Sequence, residues 1–138
     1  MPIALIARLE AATGPDRELD ARLHAVRNPT WRSTLAFFRW AAIQPNGQMT
    51  DTTAWRFMQE KAPPYTSSID SALTLVPEGW GWKAESNLGF GHTVTVGHVG
   101  ANKLYDRPEG WGEAATPALA LCIASLKARA SQEAPHAE

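Results

Sequence analysis

Apolar residues recur one helical turn apart in four segments of the chain. These positions are Leu5, Ile6 and Leu9; Leu19, Leu23 and Val26; Ile69, Ala72, Leu73 and Val76; and Leu119, Cys122, Ile123 and Leu126. Pro15 suits the first position of the second helix, and Thr66 or Ser67 can cap the third. Thr116 and Pro117 form a cap and first position for the fourth. The pattern therefore predicts four amphipathic helices.

Two further segments favour β-strands. Trp80 to Glu85 and His92 to Val99 are rich in aromatic and β-branched residues, and the glycine-containing stretch Ser86 to Gly91 can close an antiparallel hairpin between them. The stretch after the second strand, which contains Trp111, is interpreted as a glycine-rich loop. The prediction is an α+β fold in which a small hairpin-based antiparallel sheet is flanked by helices. Residues 1–130 form one domain, and 131–138 form a flexible tail.

The segment from 28 to 62 is rich in aromatic residues and its pattern is ambiguous. Trp31, Leu35 and Phe38 fit helical spacing, whereas residues 35–38 would also suit a buried strand. The polar residues 50–53 can cap a short helix that carries Trp55 and Met58. The sequence leaves the structure and role of this segment open.

Composition excludes several classes of function. The chain of 138 residues has 13 basic and 14 acidic side chains and a net charge of −1, so extended nucleic acid is not an expected partner. The longest apolar run, Pro117 to Ser125, is far shorter than the roughly 20 residues that span a bilayer, and no signal peptide is recognisable. The single cysteine, Cys122, indicates a buried thiol and a reducing, cytoplasmic compartment.

Neither a catalytic nor a metal site is expected. His92 and His98 share one strand face but lie six residues apart, roughly 20 Å along an extended strand, which is too far for one metal ion. Asp16, Glu18 and Asp20 suit helix capping and solvation better than acid–base chemistry. Glycine-rich phosphate loops and nucleophile elbows are missing from the sequence, so no cofactor and no enzymatic activity are predicted. His24 and His136 do not lie at a spacing from other residues that is typical of a catalytic or metal site.

Aromatic and basic residues around the hairpin supply a candidate ligand site. Aromatic rings stack on planar ligands such as nucleobases, and lysine or arginine can bind their phosphates. The candidate ligand-binding residues are Tyr65, Trp80, Trp82, Lys83, His92, His98, Lys103, Arg107 and Trp111. The alternative is that the tryptophans pack in the core, which is their commoner role.

Three stretches of the chain resemble the phage α-β-α sandwich domain family of small phage and prophage accessory proteins. They are 5–20 (LIARLEAATGPDRELD), 65–80 (YTSSIDSALTLVPEGW) and 115–122 (ATPALALC). The resemblance implies a sheet flanked by helices and a protein that works in a bacterial host. The resemblance does not imply any catalytic residues in this chain.

Three functions follow from these observations. The first is a non-enzymatic phage protein that sequesters a small nucleotide-like signal and so evades host immunity. The second is an interaction module whose exposed Trp31, Trp40 or Trp55 contacts a host or virion protein. The third is a small hydrolase with His92 or His98 as its base. Exposed aromatic surface would also favour a homo-oligomer.

Overall fold

The computed structural model describes residues 3–44, 51–87, 91–98 and 107–133. Within them the chain forms six α-helices, one turn of 3-10 helix at Trp31–Ser33 and three β-strands. The helices are α1 (Ile3–Ala11), α2 (Arg17–Arg27), α3 (Leu35–Ala42), α4 (Asp51–Lys61), α5 (Ile69–Leu73) and α6 (Pro117–Glu133). The strands are β1 (Trp80–Asn87), β2 (Gly91–His98) and β3 (Arg107–Ala114).

The strands form one antiparallel sheet in the order β1-β2-β3. Trp82 pairs with Val96 and Val96 with Gly110, so these residues share one sheet face; the register between β2 and β3 shifts next to Val96. The predicted α+β fold, with a small antiparallel sheet flanked by helices, is confirmed. The prediction of a loop around Trp111 is wrong, because Trp111 lies in β3 and pairs with Thr95.

Helix α6 packs directly on β3 at two glycines. A Cβ atom on Gly112 would lie 2.5 Å from the carbonyl oxygen of Ala120, and one on Gly110 would collide with the carbonyl oxygen of Ala124. The glycines therefore allow the backbones of helix and strand to approach more closely than side chains would permit. The same glycines explain why β3 was not predicted from the sequence, because glycine lowers strand propensity.

The residues that the structure describes form two hydrophobic clusters in the interior. The main core joins the sheet to α1, α2, α5 and α6 and contains Leu9, Leu23, Tyr65, Val94 and Leu119, all almost fully buried. The second cluster, which we call the aromatic cluster, comprises Ala21, Trp31, Phe37, Ala54, Phe57 and Met58. Because α2 contributes to both clusters, it lies between them. The described parts of the ambiguous segment, 28–44 and 51–62, thus form a helical layer on the side of α2 away from the main core.

The start of α2 is tied to the chain before α5. Asp16 caps α2 by accepting hydrogen bonds from the backbone N–H groups of Glu18 and Leu19, so Pro15 precedes the cap rather than occupying the first helical position. Asp20 is not solvated as predicted: it is 1 % exposed and accepts hydrogen bonds from the backbone N–H and hydroxyl of Thr66, at 2.7 and 2.8 Å.

Other predicted boundaries differ by a few residues. Ser68, rather than Thr66 or Ser67, caps α5, because the hydroxyl of Thr66 is engaged with Asp20. Helix α6 starts at Pro117 after the predicted Thr116 cap and continues to Glu133, three residues into the predicted tail; 134–138 lie outside the described residues. Across the described ranges, none of the helices is long and apolar enough to cross a membrane.

Candidate functional site

A cleft of about 260 Å³ opens between α2, the 3-10 turn, α3 and α4. Its floor consists of buried apolar side chains, and its rim consists of polar and small residues that are exposed or half-buried. The lining residues are His24, Asn28, Thr30, Trp31, Thr34, Ala36, Phe57, Met58 and Lys61. An apolar floor with a few converging polar groups is the usual composition of a small-molecule site.

The aromatic floor is held by ring packing within the aromatic cluster. The ring of Trp31 lies edge-on to Phe37 at a centroid distance of 5.3 Å and nearly parallel to Phe57 at 6.3 Å. Phe57 in turn packs edge-on against Phe37 at 5.3 Å. Side chains locked in this way form a rigid floor that loses little entropy when a ligand binds.

The ring of His24 is held in the cleft by two neighbouring polar side chains. Its Nδ1 atom lies 3.0 Å from the hydroxyl oxygen of Tyr65 and 3.2 Å from the amide nitrogen of Asn28. The same Asn28 amide group donates a hydrogen bond to the backbone carbonyl of His24 at 3.0 Å. Because Nδ1 faces this donor, the favoured tautomer keeps the proton on Nε2 and leaves Nδ1 as an acceptor.

The environment of His24 also favours its neutral form. Burial lowers the pKa of His24 below its usual value, and the positive charge of Arg27 lowers it further. A neutral ring with its proton on Nε2 offers a single N–H donor. His24 can therefore recognise an uncharged acceptor, such as a ring nitrogen or carbonyl oxygen of a planar ligand.

The remaining polar lining residues have different roles. Thr34 is already committed to the fold, since its hydroxyl caps α3 by accepting from Phe37 N–H and donates to the carbonyl of Trp31. Thr30 and Asn28 are exposed at the rim. Because the Asn28 side-chain nitrogen is bound to His24, a ligand would meet the side-chain oxygen of Asn28. Lys61 brings a positive charge to the same rim from the last turn of α4.

The end of α4 that carries Lys61 is anchored to α2. Arg17 donates hydrogen bonds to the backbone carbonyls of Gln59 and Ala62, the latter at 2.9 Å, and its other nitrogen contacts Asp20 at 3.0 Å. Three contacts from one guanidinium group fix the last turn of α4 relative to α2. The same contacts hold the backbone of Lys61 in place relative to α2, the helix that carries His24.

The structure divides the predicted ligand residues among separate places. Tyr65 is 0 % exposed in the main core, and Trp80 is half-buried against that core. Trp82 is 42 % exposed on the sheet face that it shares with Val96. Trp80 and Trp82 share one face of β1, but Tyr65 has no exposed surface on which a ligand could stack.

Trp111 lies on the opposite face of the sheet. It pairs with Thr95, which also pairs with Lys83, and its side chain is 51 % exposed. Trp82 and Trp111 therefore cannot stack on one ligand together. Lys83 forms a salt bridge with Glu85 of the same strand, with its Nζ atom 2.8 Å from the carboxylate oxygen.

The remaining predicted residues lie at the ends of the strands. His92 is half-buried at the start of β2, and its Nδ1 atom lies 2.8 Å from the hydroxyl of Ser86. His98 ends the same strand and pairs with Trp80 on one side and Arg107 on the other; the side chains of His98 and Arg107 are not among those described. Lys103 lies outside the described residues.

The cleft could not be predicted from the sequence, because its lining residues come from distant segments of the chain. His24 and Asn28 do carry a local signal, since residues four apart share a helix face, but nothing in the sequence links them to Trp31 or Lys61. The tryptophans proposed for protein contacts are also mostly internal: Trp31 is 7 % exposed, and Trp40 and Trp55 are half-buried where they pack against the aromatic cluster.

Neither a metal centre nor a known relative identifies the site. Among the described residues, no group of three or more histidine, cysteine or acidic side chains is placed to hold a metal ion. Cys122 is buried as predicted, and burial raises the pKa of its thiol. The chain matches no protein-family model, no curated protein and no solved structure. The resemblance to phage α-β-α sandwich domains stays a prediction.

Proposed function

We propose that this protein is a non-enzymatic binding protein for a small, planar, nucleotide-like ligand and that the ligand occupies the cleft between α2, α3 and α4. The observation that carries the proposal is the combination of a rigid aromatic floor with the neutral His24 ring, the Asn28 amide and the Lys61 ammonium group around one opening. Apolar contact provides affinity, and the few polar groups orient the ligand.

The size of the cleft limits the ligand. Its volume of about 260 Å³ lies just below the range of about 300–1,000 Å³ that is usual for drug-sized ligands. One nucleobase or a similar heterocycle suits this space, whereas a whole dinucleotide does not. The sugar and phosphate of a nucleotide would extend past the rim, where Lys61 can bind the phosphate.

Binding itself is the proposed activity. In the setting that the family resemblance implies, a phage protein present in the bacterial cytoplasm at high concentration would lower the free concentration of a nucleotide signal of host immunity. Such a protein needs no turnover, because occupancy follows from its concentration relative to the dissociation constant. The His24 N–H donor and the Asn28 amide would select the base by its pattern of acceptors and donors.

Calorimetric titration with a panel of nucleosides, nucleoside monophosphates and cyclic nucleotides tests the proposal. We expect saturable binding of at least one compound by the wild-type protein. Ala36→Trp should fill the cleft and abolish binding, whereas Ala42→Trp, an exposed position on the same helix away from the lining, should retain it. No heat with any compound, or equal binding by both variants, would contradict the proposal.

A second candidate function is docking to a host or virion protein through α3. Three large apolar side chains are exposed on or directly after this helix: Leu35 at 63 %, Phe38 at 57 % and Ile43 at 78 %. Leu35 and Phe38 lie one turn apart and therefore share a helix face. A cluster of this kind is more typical of an interaction surface than scattered single residues are.

Pull-down experiments with matched variants distinguish this function from ligand binding. If α3 docks a protein, one stoichiometric host or virion protein should be recovered with the wild type and lost with Phe38→Glu. Ile69→Glu removes an apolar side chain of similar exposure from α5 and should have no effect. Recovery of the same protein by the Phe38→Glu variant would exclude α3 as the docking surface.

A further inference from the structure

We infer that the outer edge of β1 is a self-association surface, on which a second copy of the chain pairs antiparallel about a two-fold axis at Ala84. Strand β1 is the first strand in the sheet order, and β2 is its only strand neighbour within the described residues. An eight-residue edge presents a row of backbone groups that can pair with another strand. The inference does not depend on the cleft.

The packing of the sheet leaves β1 incompletely covered. Helix α6 contacts β3 and β2 along much of their length but touches β1 only slightly. As a result, Trp82 is 42 % exposed and Ala84 is also exposed, although both lie on the face where Val94 and Val96 are fully buried. A strand added beside β1 would cover part of this apolar surface.

Charge complementarity selects both the occupant and the register. A two-fold axis normal to the sheet pairs residues that are equally distant from the axis. With the axis at Ala84, Lys83 of each copy contacts its own Glu85 and also faces the partner's Glu85, so the four side chains alternate in charge. An axis at Lys83 or Glu85 would instead place like charges opposite each other. The edge is therefore self-complementary in one register, and that register also pairs nearly the whole strand.

The other edge of the sheet is less suited to pairing. Strand β3 contains Pro108, which lacks a backbone N–H group, and α1 contacts it. The Nζ atom of Lys127 in α6 also lies 5.8 Å from the ring centroid of Trp111 in this strand. The two edges thus differ, since β1 contains no proline and has no extensive contact with any of the described helices.

Cysteine cross-linking tests the predicted register. At the axis, the Cβ atoms of two Ala84 residues would lie about 4.5–5.5 Å apart, close to the spacing that a disulfide spans. Ala84→Cys should therefore form a disulfide-linked dimer under mild oxidation. Ser86→Cys is the matched control. In the same register, the two cysteines of a Ser86→Cys dimer would lie four positions apart along the paired strands, roughly 14 Å, which is too far for a disulfide. Cys122 does not interfere, since it is fully buried.

Charge reversal provides a second, independent readout by light scattering across a range of protein concentrations. The wild type should dimerise, and Glu85→Lys should shift it to monomer by placing lysines opposite each other. The double variant Lys83→Glu with Glu85→Lys restores opposite-charge pairs and should restore the dimer. A monomeric wild type, a dimer that Glu85→Lys leaves unchanged, or equal cross-linking of Ser86→Cys and Ala84→Cys would overturn the inference.

Discussion

The Nδ1 atom of His24 lies 3.0 Å from the hydroxyl oxygen of Tyr65, so a ring that lines the cleft is held by a side chain buried in the main core. Tyr65 is 0 % exposed, and its backbone carbonyl accepts a contact from the thiol of Cys122 in α6 at 3.5 Å. The orientation of the His24 ring is therefore set by the main core and not by the aromatic cluster alone.

Removing the Tyr65 hydroxyl should weaken both stability and ligand binding. Tyr65→Phe keeps the buried ring but removes the group that fixes His24. We expect the free energy of unfolding to fall by about 1 kcal/mol, the usual net value of one hydrogen bond. Urea unfolding measures the stability, and titration of a ligand found in the panel measures the affinity. Unchanged affinity would show that the orientation of His24 does not matter for binding.

Stability should decrease in mild acid because of His24. Its pKa is lower in the folded than in the unfolded protein, so between the unfolded value of about 6.5 and the folded value the unfolded chain binds more protons. The contribution of neutral His24 is thus complete above about pH 6.5 and declines as the pH falls toward the folded value. Urea unfolding of wild type and His24→Gln at several pH values isolates this effect.

The His24→Gln variant has a specific signature in that experiment. The wild type should lose stability relative to the variant as the pH is lowered through this window, because glutamine does not titrate. A stability difference between the two proteins that stays constant from neutral pH to mild acid would contradict the assignment.

Loss of the Asp20 carboxylate should be strongly destabilising. Asp20→Ala leaves the buried N–H of Thr66 without its acceptor, leaves the Thr66 hydroxyl only the more distant carbonyl of Asp16, and removes the partner of Arg17. A buried donor left without an acceptor costs about 1–3 kcal/mol, and the lost hydrogen bonds to the charged carboxylate add to this cost. Asp70→Ala removes an exposed carboxylate in the first turn of α5 and should cost at most about 1 kcal/mol in the same urea titration. Similar losses for both would refute a special role for Asp20.

The contact of α6 with β3 should tolerate no side chain at Gly112. An added Cβ atom would lie 2.5 Å from a carbonyl oxygen and 2.8 Å from the Cβ atom of Ile123, so the helix would have to move away from the sheet. We expect Gly112→Ala to lower the free energy of unfolding by about 2–3 kcal/mol. Gly14→Ala meets no atom within 4 Å and should leave stability nearly unchanged. Thermal unfolding of the two variants makes the comparison.

Local sequence patterns predicted those parts of the fold that depend on local physics. The apolar spacing of Leu119, Cys122 and Ile123 identified α6, because a helix face repeats every three to four residues. Strand β3 was not predicted because its glycines, which allow α6 to pack closely, lower its strand propensity. Asp20 was wrongly predicted to be solvated because its hydrogen-bond partner Thr66 is 46 residues away in the sequence. Contacts of this kind depend on the tertiary fold and produce no periodic pattern in the sequence.

The candidate site was harder to predict for the same reason. Tryptophan identity alone does not distinguish a stacking surface from a core, and the structure separates Trp82 from Trp111 by placing them on opposite faces of the sheet. The cleft combines a helix face of α2 with rings from the segment 28–62, whose pattern was ambiguous. Only the folded arrangement brings His24 and Lys61 to one opening.

Chemical-shift mapping tests the central claim most directly. The ¹⁵N-labelled protein is titrated with nucleoside monophosphates and followed by two-dimensional NMR. We predict saturable shifts concentrated at the amides of His24 and Asn28 and at the indole N–H of Trp31, with the sheet unaffected. An absence of shifts, or shifts concentrated at Trp82 or Trp111, would contradict binding in the cleft.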